Sequence, residues 1–353
     1  MCTKPLKGFA IGETKNGKVE YRITPYSTDH VELYFNNTWH NCPDSFISDN
    51  AKRYVRAHIE IPCGHCLECR LEYSRQWADR CILEAQQYED NCFITLTYDD
   101  LNIPVVDDVH PETGEITKFK TLVKKDLQDF MKRLRSRLDD KDIKIRFFAA
   151  GEYGDESMRP HYHAIIFGWS PLKEINEKTG MPDCHLLKMS NLGYAYYHSD
   201  FLKEVWPFGN NLVTECSWET CAYVSRYVVK KYKNEKDFSE KTNIQKEFVT
   251  MSRRPGIGLK WLQSHDVCYA TFQNNYVSTP NGSRKISHNR YFDSYLEKEF
   301  PEIYEKTKEV RKYFQQERKK LEYFESDLPY IDRLHVKEAN LKSRTKILRR
   351  NLI

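Results

Sequence analysis

Three groups of side chains in this 353-residue chain have types and spacing that could do chemistry. The first is His161 and His163, in the run Arg159-Pro160-His161-Tyr162-His163-Ala164-Ile165-Ile166-Phe167-Gly168. On a strand, residues i and i+2 share a face, so the two imidazoles stand side by side as a divalent metal needs. The preceding strand-like stretch ends in Glu152, and a short polar connection makes the pair an antiparallel hairpin that sets Glu152 across from the histidines. Two imidazoles and a carboxylate form a mixed N and O site suited to Mn²⁺ or Mg²⁺, with positions open for a phosphate. Asp155 and Glu156, in the connection, are the fallback ligands.

The second group is Tyr223, Tyr227 and Lys231, spaced i, i+4, i+8 on a segment that starts like a helix at Ser217. They share one helix face, and Lys230 sits slightly off that line. A tyrosine hydroxyl has a pKa of about 10, so as a nucleophile it needs a polarised electrophile and a nearby cation. A metal on the histidines and a lysine beside the phenol would supply both, and the electrophile they suit is a phosphodiester. The product would be a covalent phosphotyrosine, which stores the bond for later transfer without ATP. The alternative is that the tyrosines only pack and the histidines are only hydrogen-bonded.

The third group is Cys63, Cys66 and Cys69, three thiols at a regular spacing of three. A structural zinc site takes four ligands, so this cluster is one short. Cys2, Cys42, His40 and His65 are candidates for the fourth, and Cys2 is the one we carry forward.

The elements that must position these groups follow from periodicity. The first sixty or so residues alternate turns with strand-like pieces around 19–23 and 31–35. Gly12 to Lys18 has P-loop spacing, but Val19 stands where a Ser or Thr must hold magnesium, and Asn16-Gly17 signals a hairpin turn. A helix is expected over 67–88. Cys92-Phe93-Ile94-Thr95-Leu96-Thr97-Tyr98 reads as a central, two-sided strand. The strongest helix, over 121–138, buries Leu127, Phe130, Met131, Leu134 and Leu138. Its basic face carries Lys132, Arg133 and Arg135, candidates for a DNA backbone. Arg253 and Arg254 sit in a glycine-bearing loop, 251–258, that could also lie against phosphates. From Tyr291 onward the chain reads as charged helix. The expected organisation is an N-terminal part (1–90) with strands, Cys cluster and lead-in helix, a core (91–275), and a helical extension (276–353).

Composition bounds the class. Charged residues make up 30 % of the chain and aromatics 13 %, which describes a soluble globular protein rather than a disordered one. The net charge of +4 is mild, so an anionic partner would be met by local basic patches. No apolar run reaches the ~18 residues of a membrane helix, and no signal-peptide core follows Met1. The 11 cysteines are therefore expected as reduced cytosolic thiols with a metal-binding subset.

The set Phe93-Ile94-Thr95-Leu96-Thr97-Tyr98-Asp99, Gly151-Glu152-Tyr153-Gly154 with His161-Tyr162-His163, and Tyr223-Val224-Ser225-Arg226-Tyr227 with Lys230-Lys231 resembles the three motifs of HUH rolling-circle replication initiators. More closely, the chain resembles the initiators of the Microviridae, of the gokushovirus type, and the cysteine cluster and the 251–258 loop share in that likeness. The resemblance implies an α+β fold with a ferredoxin-like or RRM-like central antiparallel sheet flanked by helices. It implies nicking of one strand at the origin of the replicative form, with Tyr223 and Tyr227 as paired nucleophiles and a 3′-hydroxyl left for a host polymerase. A host helicase and the cytoplasm of the bacterial host come with that implication. Arg226 stands where a lysine is common between the tyrosines; it keeps the positive charge and joins the DNA-contact candidates, and Lys230 and Lys231 remain rivals for the catalytic cation. The competing reading is a non-catalytic single-strand-binding protein with an RRM-like sheet and a zinc module.

Overall fold

A computed structural model of the chain describes residues 2–109, 113–154, 157–176, 179–190, 193–226, 244–265, 275–279, 282–286, 289–324 and 326–347. The architecture is mixed α and β, and every strand pair among the described residues is antiparallel. The chain divides into two compact units, Met1–Glu72 with Glu322–Arg349, and Tyr73–Leu321 with Arg350–Ile353.

The first unit holds β1 (Leu6–Glu13), β2 (Val19–Pro25), β3 (His30–Tyr34), β4 (Trp39–Cys42), β5 (Ala51–Val55) and β6 (His58–Ile61). They form two three-stranded sheets, ordered β2-β1-β6 and β4-β3-β5. The P-loop-like stretch is the β1–β2 hairpin turn, with Gly17 at φ 70°, a left-handed conformation that costs glycine nothing. The helix Tyr330–Ile347 packs in the same unit, where the Tyr330 hydroxyl donates to Glu60 Oε2 at 3.1 Å.

The second unit is built on a sheet of seven described strands. In chain order its elements are α1 (Leu67–Ala85, which starts in the first unit), β7 (Asn91–Tyr98), the hairpin β8 (Val105–Val109) and β9 (Ile116–Lys120), α2 (Lys124–Asp139), β10 (Arg146–Tyr153), β11 (Pro160–Phe167), β12 (Cys184–Met189), β13 (Ala195–Ser199), α3 (Asp200–Val205), β14 (Gly209–Glu215), α4 (Trp218–Ser225) and β15 (Phe248–Met251). The sheet order is β12-β13-β14-β7-β11-β10-β15, so β7, β11 and β10 lie inside it with both faces covered.

Strand alternation sorts the two faces. One carries Ile94, Leu96, Tyr98, Tyr162 and Ile166 against Leu127, Phe130, Met131, Leu134 and Leu138 of α2. The other carries Phe93, Phe148, Ile165 and Phe167 against Ala78, Cys81 and Ala85 of α1 and Cys221 and Val224 of α4. Each large apolar side chain fully buried this way contributes about 1.5–3 kcal/mol relative to exposure. Tyr162 has no exposed surface; its hydroxyl donates to the Val123 carbonyl at 2.9 Å and meets the Tyr98 hydroxyl at 2.8 Å. Gly209 permits β14 to close on β7, because a Cβ there would lie 2.1 Å from the Thr97 carbonyl oxygen.

The C-terminal part differs from the all-helical expectation at its start. Residues 275–286 form a hairpin of β16 (Asn275–Thr279) and β17 (Gly282–Ile286), ahead of the helices Arg290–Glu299 and Pro301–Phe324. Val277 and Ile286 are buried with Trp261, Leu262 and Phe292, so tertiary packing, absent from a periodicity count, holds the hairpin.

Candidate active site

Register builds the site. In the β10–β11 hairpin Glu152 pairs with His161, and in the β11–β7 pair His163 faces Thr95 and His161 faces Thr97. Glu152, His161 and His163 therefore share the face that α1 and α4 cover, while α2 lies on the other. Glu152 Oε1 is 2.5 Å from His161 Nε2 and 2.9 Å from His163 Nε2. The three donors lie within 4.8 Å of one another, the compactness that one metal ion requires. Glu152 and His163 are buried, and His161 is partly open.

The imidazoles are held from behind. The Arg159 carbonyl accepts from His161 Nδ1 at 3.0 Å, and the Thr95 hydroxyl meets His163 Nδ1 at 2.9 Å, which turns both Nε2 atoms toward Glu152. Arg159 is itself fixed, donating to the Tyr98 carbonyl and pairing with Asp100. Burial pushes the Glu152 carboxyl up, but the hydrogen bonds and charge of His161 and His163 outweigh it and bring it down to about 2. A carboxylate ionised this firmly, beside two imidazoles, suits a hard or borderline divalent ion.

The tyrosine helix reaches this group. Ser217 caps α4 by accepting from the Thr220 amide, and the Thr220 side chain returns the bond, completing a capping box. Two turns on, the Tyr223 ring stands edge-on to His163 at 5.0 Å between centroids and edge-on to Phe93 at 6.1 Å. The Arg226 guanidinium lies 5.8 Å over the Tyr223 ring. Tyr227, Lys230 and Lys231, and the fallback ligands Asp155 and Glu156, fall outside the described residues.

The basic candidates do not gather at the site. Lys132 is exposed and pairs with Asp129, Arg133 donates to the Val205 carbonyl at 2.9 Å, and Arg135 stacks over Phe147. All three ride on α2, on the opposite face of the sheet from the histidines. Arg253 and Arg254 are exposed, in a loop anchored by Arg146, which donates to the Pro255 carbonyl at 2.6 Å, and by Glu84, which accepts from the Gly258 amide at 2.6 Å. Sequence reasoning missed Thr95 and the Arg159 carbonyl; the Phe93-to-Tyr98 alternation carried a signal for Thr95, which it puts on the same face as Phe93 and Thr97.

The cysteine group closes within the first unit. Cys2 completes it: its Sγ is 3.6 Å from that of Cys63 and 3.7 Å from that of Cys66, and Cys69 falls in the same 4.8 Å cluster. Sulfurs at the corners of a tetrahedron with metal–sulfur bonds of about 2.3 Å stand roughly 3.8 Å apart, close to what is seen. The amides of Cys63, Cys66 and Cys69 point at Sγ of Cys2, Cys63 and Cys66. Burial pushes the Cys66 thiol up, but the Thr3 hydroxyl and backbone amides outweigh it and bring it to about 6. Of the other candidates for the fourth ligand, His40 bonds Thr38, and Cys42 belongs to a different cluster.

The chain is similar to known proteins over most of its length. The family described as Replication-associated protein ORF2 matches residues 91–232. The Replication-associated protein VP4 of Bdellovibrio phage phiMH2K is 29 % identical over 316 residues, covering 84 % of this chain and 90 % of that relative. The Replication-associated protein ORF2 of Spiroplasma virus 4 is 28 % identical, covering 85 % and 81 %, and ORF4 of Chlamydia phage 1 is 31 % identical, covering 60 % and 49 %. No solved structure matches the chain. With this similarity running through the strands and helix that carry the histidine and tyrosine motifs, the chain belongs to the replication-associated proteins of the Microviridae.

Proposed function

We propose that the chain is a metal-dependent tyrosine endonuclease and strand transferase of the HUH type, which nicks the replicative-form origin and starts rolling-circle replication of the phage genome. The observation that carries this reading is the Tyr223 ring edge-on to His163, within the Glu152–His161–His163 group. A binding protein needs neither a buried carboxylate between two imidazoles nor a phenol beside them.

In this reading the phenol oxygen of Tyr223 or Tyr227 attacks the scissile phosphorus. The P–O3′ bond breaks, and the leaving oxygen takes up a proton to become a 3′-hydroxyl. The phenol proton passes to solvent, and the cation of Lys230 or Lys231 stabilises the phenolate. Glu152, His161 and His163 would hold Mg²⁺ or Mn²⁺, which supplies charge neutralisation at a non-bridging phosphate oxygen. The reverse reaction, attack of a 3′-hydroxyl on the phosphotyrosine, restores the diester and frees the phenol without ATP.

The nuclease core is assigned to 91–275, built as a ferredoxin-like sheet, with an N-terminal part (1–90) and a C-terminal extension (276–353). Cys2, Cys63, Cys66 and Cys69 would hold a structural Zn²⁺. Arg226, Arg253 and Arg254 are the basic residues assigned to single-stranded origin DNA, and Lys132, Arg133 and Arg135 to a more distant backbone contact. A host helicase and polymerase in the bacterial cytoplasm would extend the 3′-hydroxyl.

Incubation with origin-containing single-stranded DNA and Mn²⁺ should give a protein–DNA adduct that survives denaturation. Adduct formation by the Tyr223→Phe, Tyr227→Phe double variant would overturn the nucleophile assignment. Retention of DNA by the unaltered protein without any adduct would favour the binding-protein reading.

A further inference from the structure

We propose that His30, Glu32 and Cys42 form a separate transition-metal site that takes Zn²⁺ through one imidazole, one carboxylate and one thiolate. The three residues come from neighbouring strands of the β4-β3-β5 sheet. His30 and Glu32 are i and i+2 on β3, and Cys42 on β4 pairs directly with His30, so all three project from one face. Their donor atoms lie within 4.8 Å of one another, and His30 Nε2 is 3.0 Å from Glu32 Oε1. Tetrahedral Zn²⁺ with bonds of about 2.0–2.3 Å holds its donors roughly 3.3–3.8 Å apart, so closure on the ion needs side-chain shifts below about 1 Å.

Two observations beyond proximity point to a cation. Glu32 is 0 % exposed, and its second oxygen, Oε2, has no hydrogen-bond partner among the described residues. A buried acceptor left unsatisfied is costly, and a metal ion removes the deficit. In addition, His30 Nδ1 lies 3.2 Å from Asp29 Oδ2, which the Arg56 guanidinium holds at 3.2 Å. A carboxylate behind the ligating ring orients the imidazole and presents Nε2 to the ion, the usual outer shell of a histidine–zinc site. The Ser48 amide donates to Glu32 Oε1 at 2.8 Å and fixes the carboxylate from the other side.

The donor set selects the ion. Thiolate and imidazole together favour Zn²⁺ over Mg²⁺ or Mn²⁺, which separates this site from the Glu152 group. It shares no residue with the Cys2–Cys63–Cys66–Cys69 group. His40, the cross-strand partner of Glu32, stacks on Tyr34 at 4.0 Å and bonds Thr38, so the fourth position is left to water. Bridging β3 and β4, the ion would tie a small sheet with little apolar core of its own.

The test uses the full chain, stripped by a chelator and reloaded with ZnCl₂ alone. Alkylation of each cysteine is followed by peptide mapping, so Cys42 reads this site while Cys63, Cys66 and Cys69 read the other. Zn²⁺ should slow alkylation of Cys42 by at least about tenfold, because a metal-bound thiolate is a poor nucleophile toward the reagent; an unchanged rate at Cys42 would overturn the proposal. His30→Gln should abolish the protection at Cys42 while that at Cys63, Cys66 and Cys69 persists, and protection of Cys42 that survives the change would overturn the ligand set. Cys42→Ser should lower the zinc content by one ion per chain relative to the unaltered protein, and an equal content would count against the site.

Discussion

The Glu152–His161–His163 group and the Cys2–Cys63–Cys66–Cys69 group are equally compact but built in opposite ways. The first draws nitrogen and oxygen donors from one hairpin, with Glu152 only nine residues from His161. The second draws four sulfurs from chain segments sixty-one or more residues apart, with backbone amides directed at them. A hard-donor site with three protein ligands leaves coordination positions for a substrate, whereas a four-thiolate cage leaves none. The contrast teaches that the sheet site is shaped for turnover and the sulfur site for holding a fold.

Breaking the first site should have the larger effect on chemistry. His163→Ala is expected to lower adduct formation by about 10³-fold or more, the scale of removing an electrostatic catalytic element, with DNA retention in a filter assay nearly unchanged. A comparable loss in Cys66→Ser protein that remains folded would dissolve the distinction between the two groups.

The two groups should also part company on acidification of the metal-free protein. Both Cys66, at about 6 against an ordinary 9.0, and Glu152, at about 2 against an ordinary 4.5, are held lower than in an unfolded chain. An acid depressed by folding contributes stability above its unfolded pKa and loses it as pH falls through the folded one. The Cys66 contribution should therefore fade between pH 9.0 and about 6, where that of Glu152 is intact, and the Glu152 contribution between pH 4.5 and about 2. Melting curves of Cys66→Ser and Glu152→Gln against pH check this: each variant should flatten the curve only in its own window.

The smallest effect is expected at the edge of the sheet site. The Arg226 guanidinium over the Tyr223 ring resembles a partly exposed cation–π contact worth about 0.5–1 kcal/mol, so Arg226→Ala should slow nicking roughly two- to fivefold. A loss near that of His163→Ala would move Arg226 from supporting the ring to contacting the phosphate.

Much of this was legible in the sequence because it is locally determined. The pleat alone put His161 and His163 on one face and Tyr162 on the other, the Ser217 and Thr220 side chains marked the start of α4, and Asn16-Gly17 marked a hairpin. What was not legible depends on contacts between distant segments. The choice of Cys2 over Cys42, His40 and His65 is made by tertiary packing, and the Thr95 contact to His163 by the register between β7 and β11. The amphipathic stripe of α2 showed which side of the helix is buried, but not which face of the sheet it covers. Its lysines and arginines consequently looked closer to the chemistry than they are.

The alternation along β11 also governs which changes in chain length the protein can tolerate. Inserting one residue between Pro160 and His163 would exchange what the two faces carry, sending an imidazole into the layer against α2 and the Tyr162 ring toward Glu152. Inserting two would preserve parity and merely shift the ligands by one pleat, about 7 Å along the strand. Length variation among functional descendants of this chain should therefore collect in the connections between strands, and any within β11 should come in even steps.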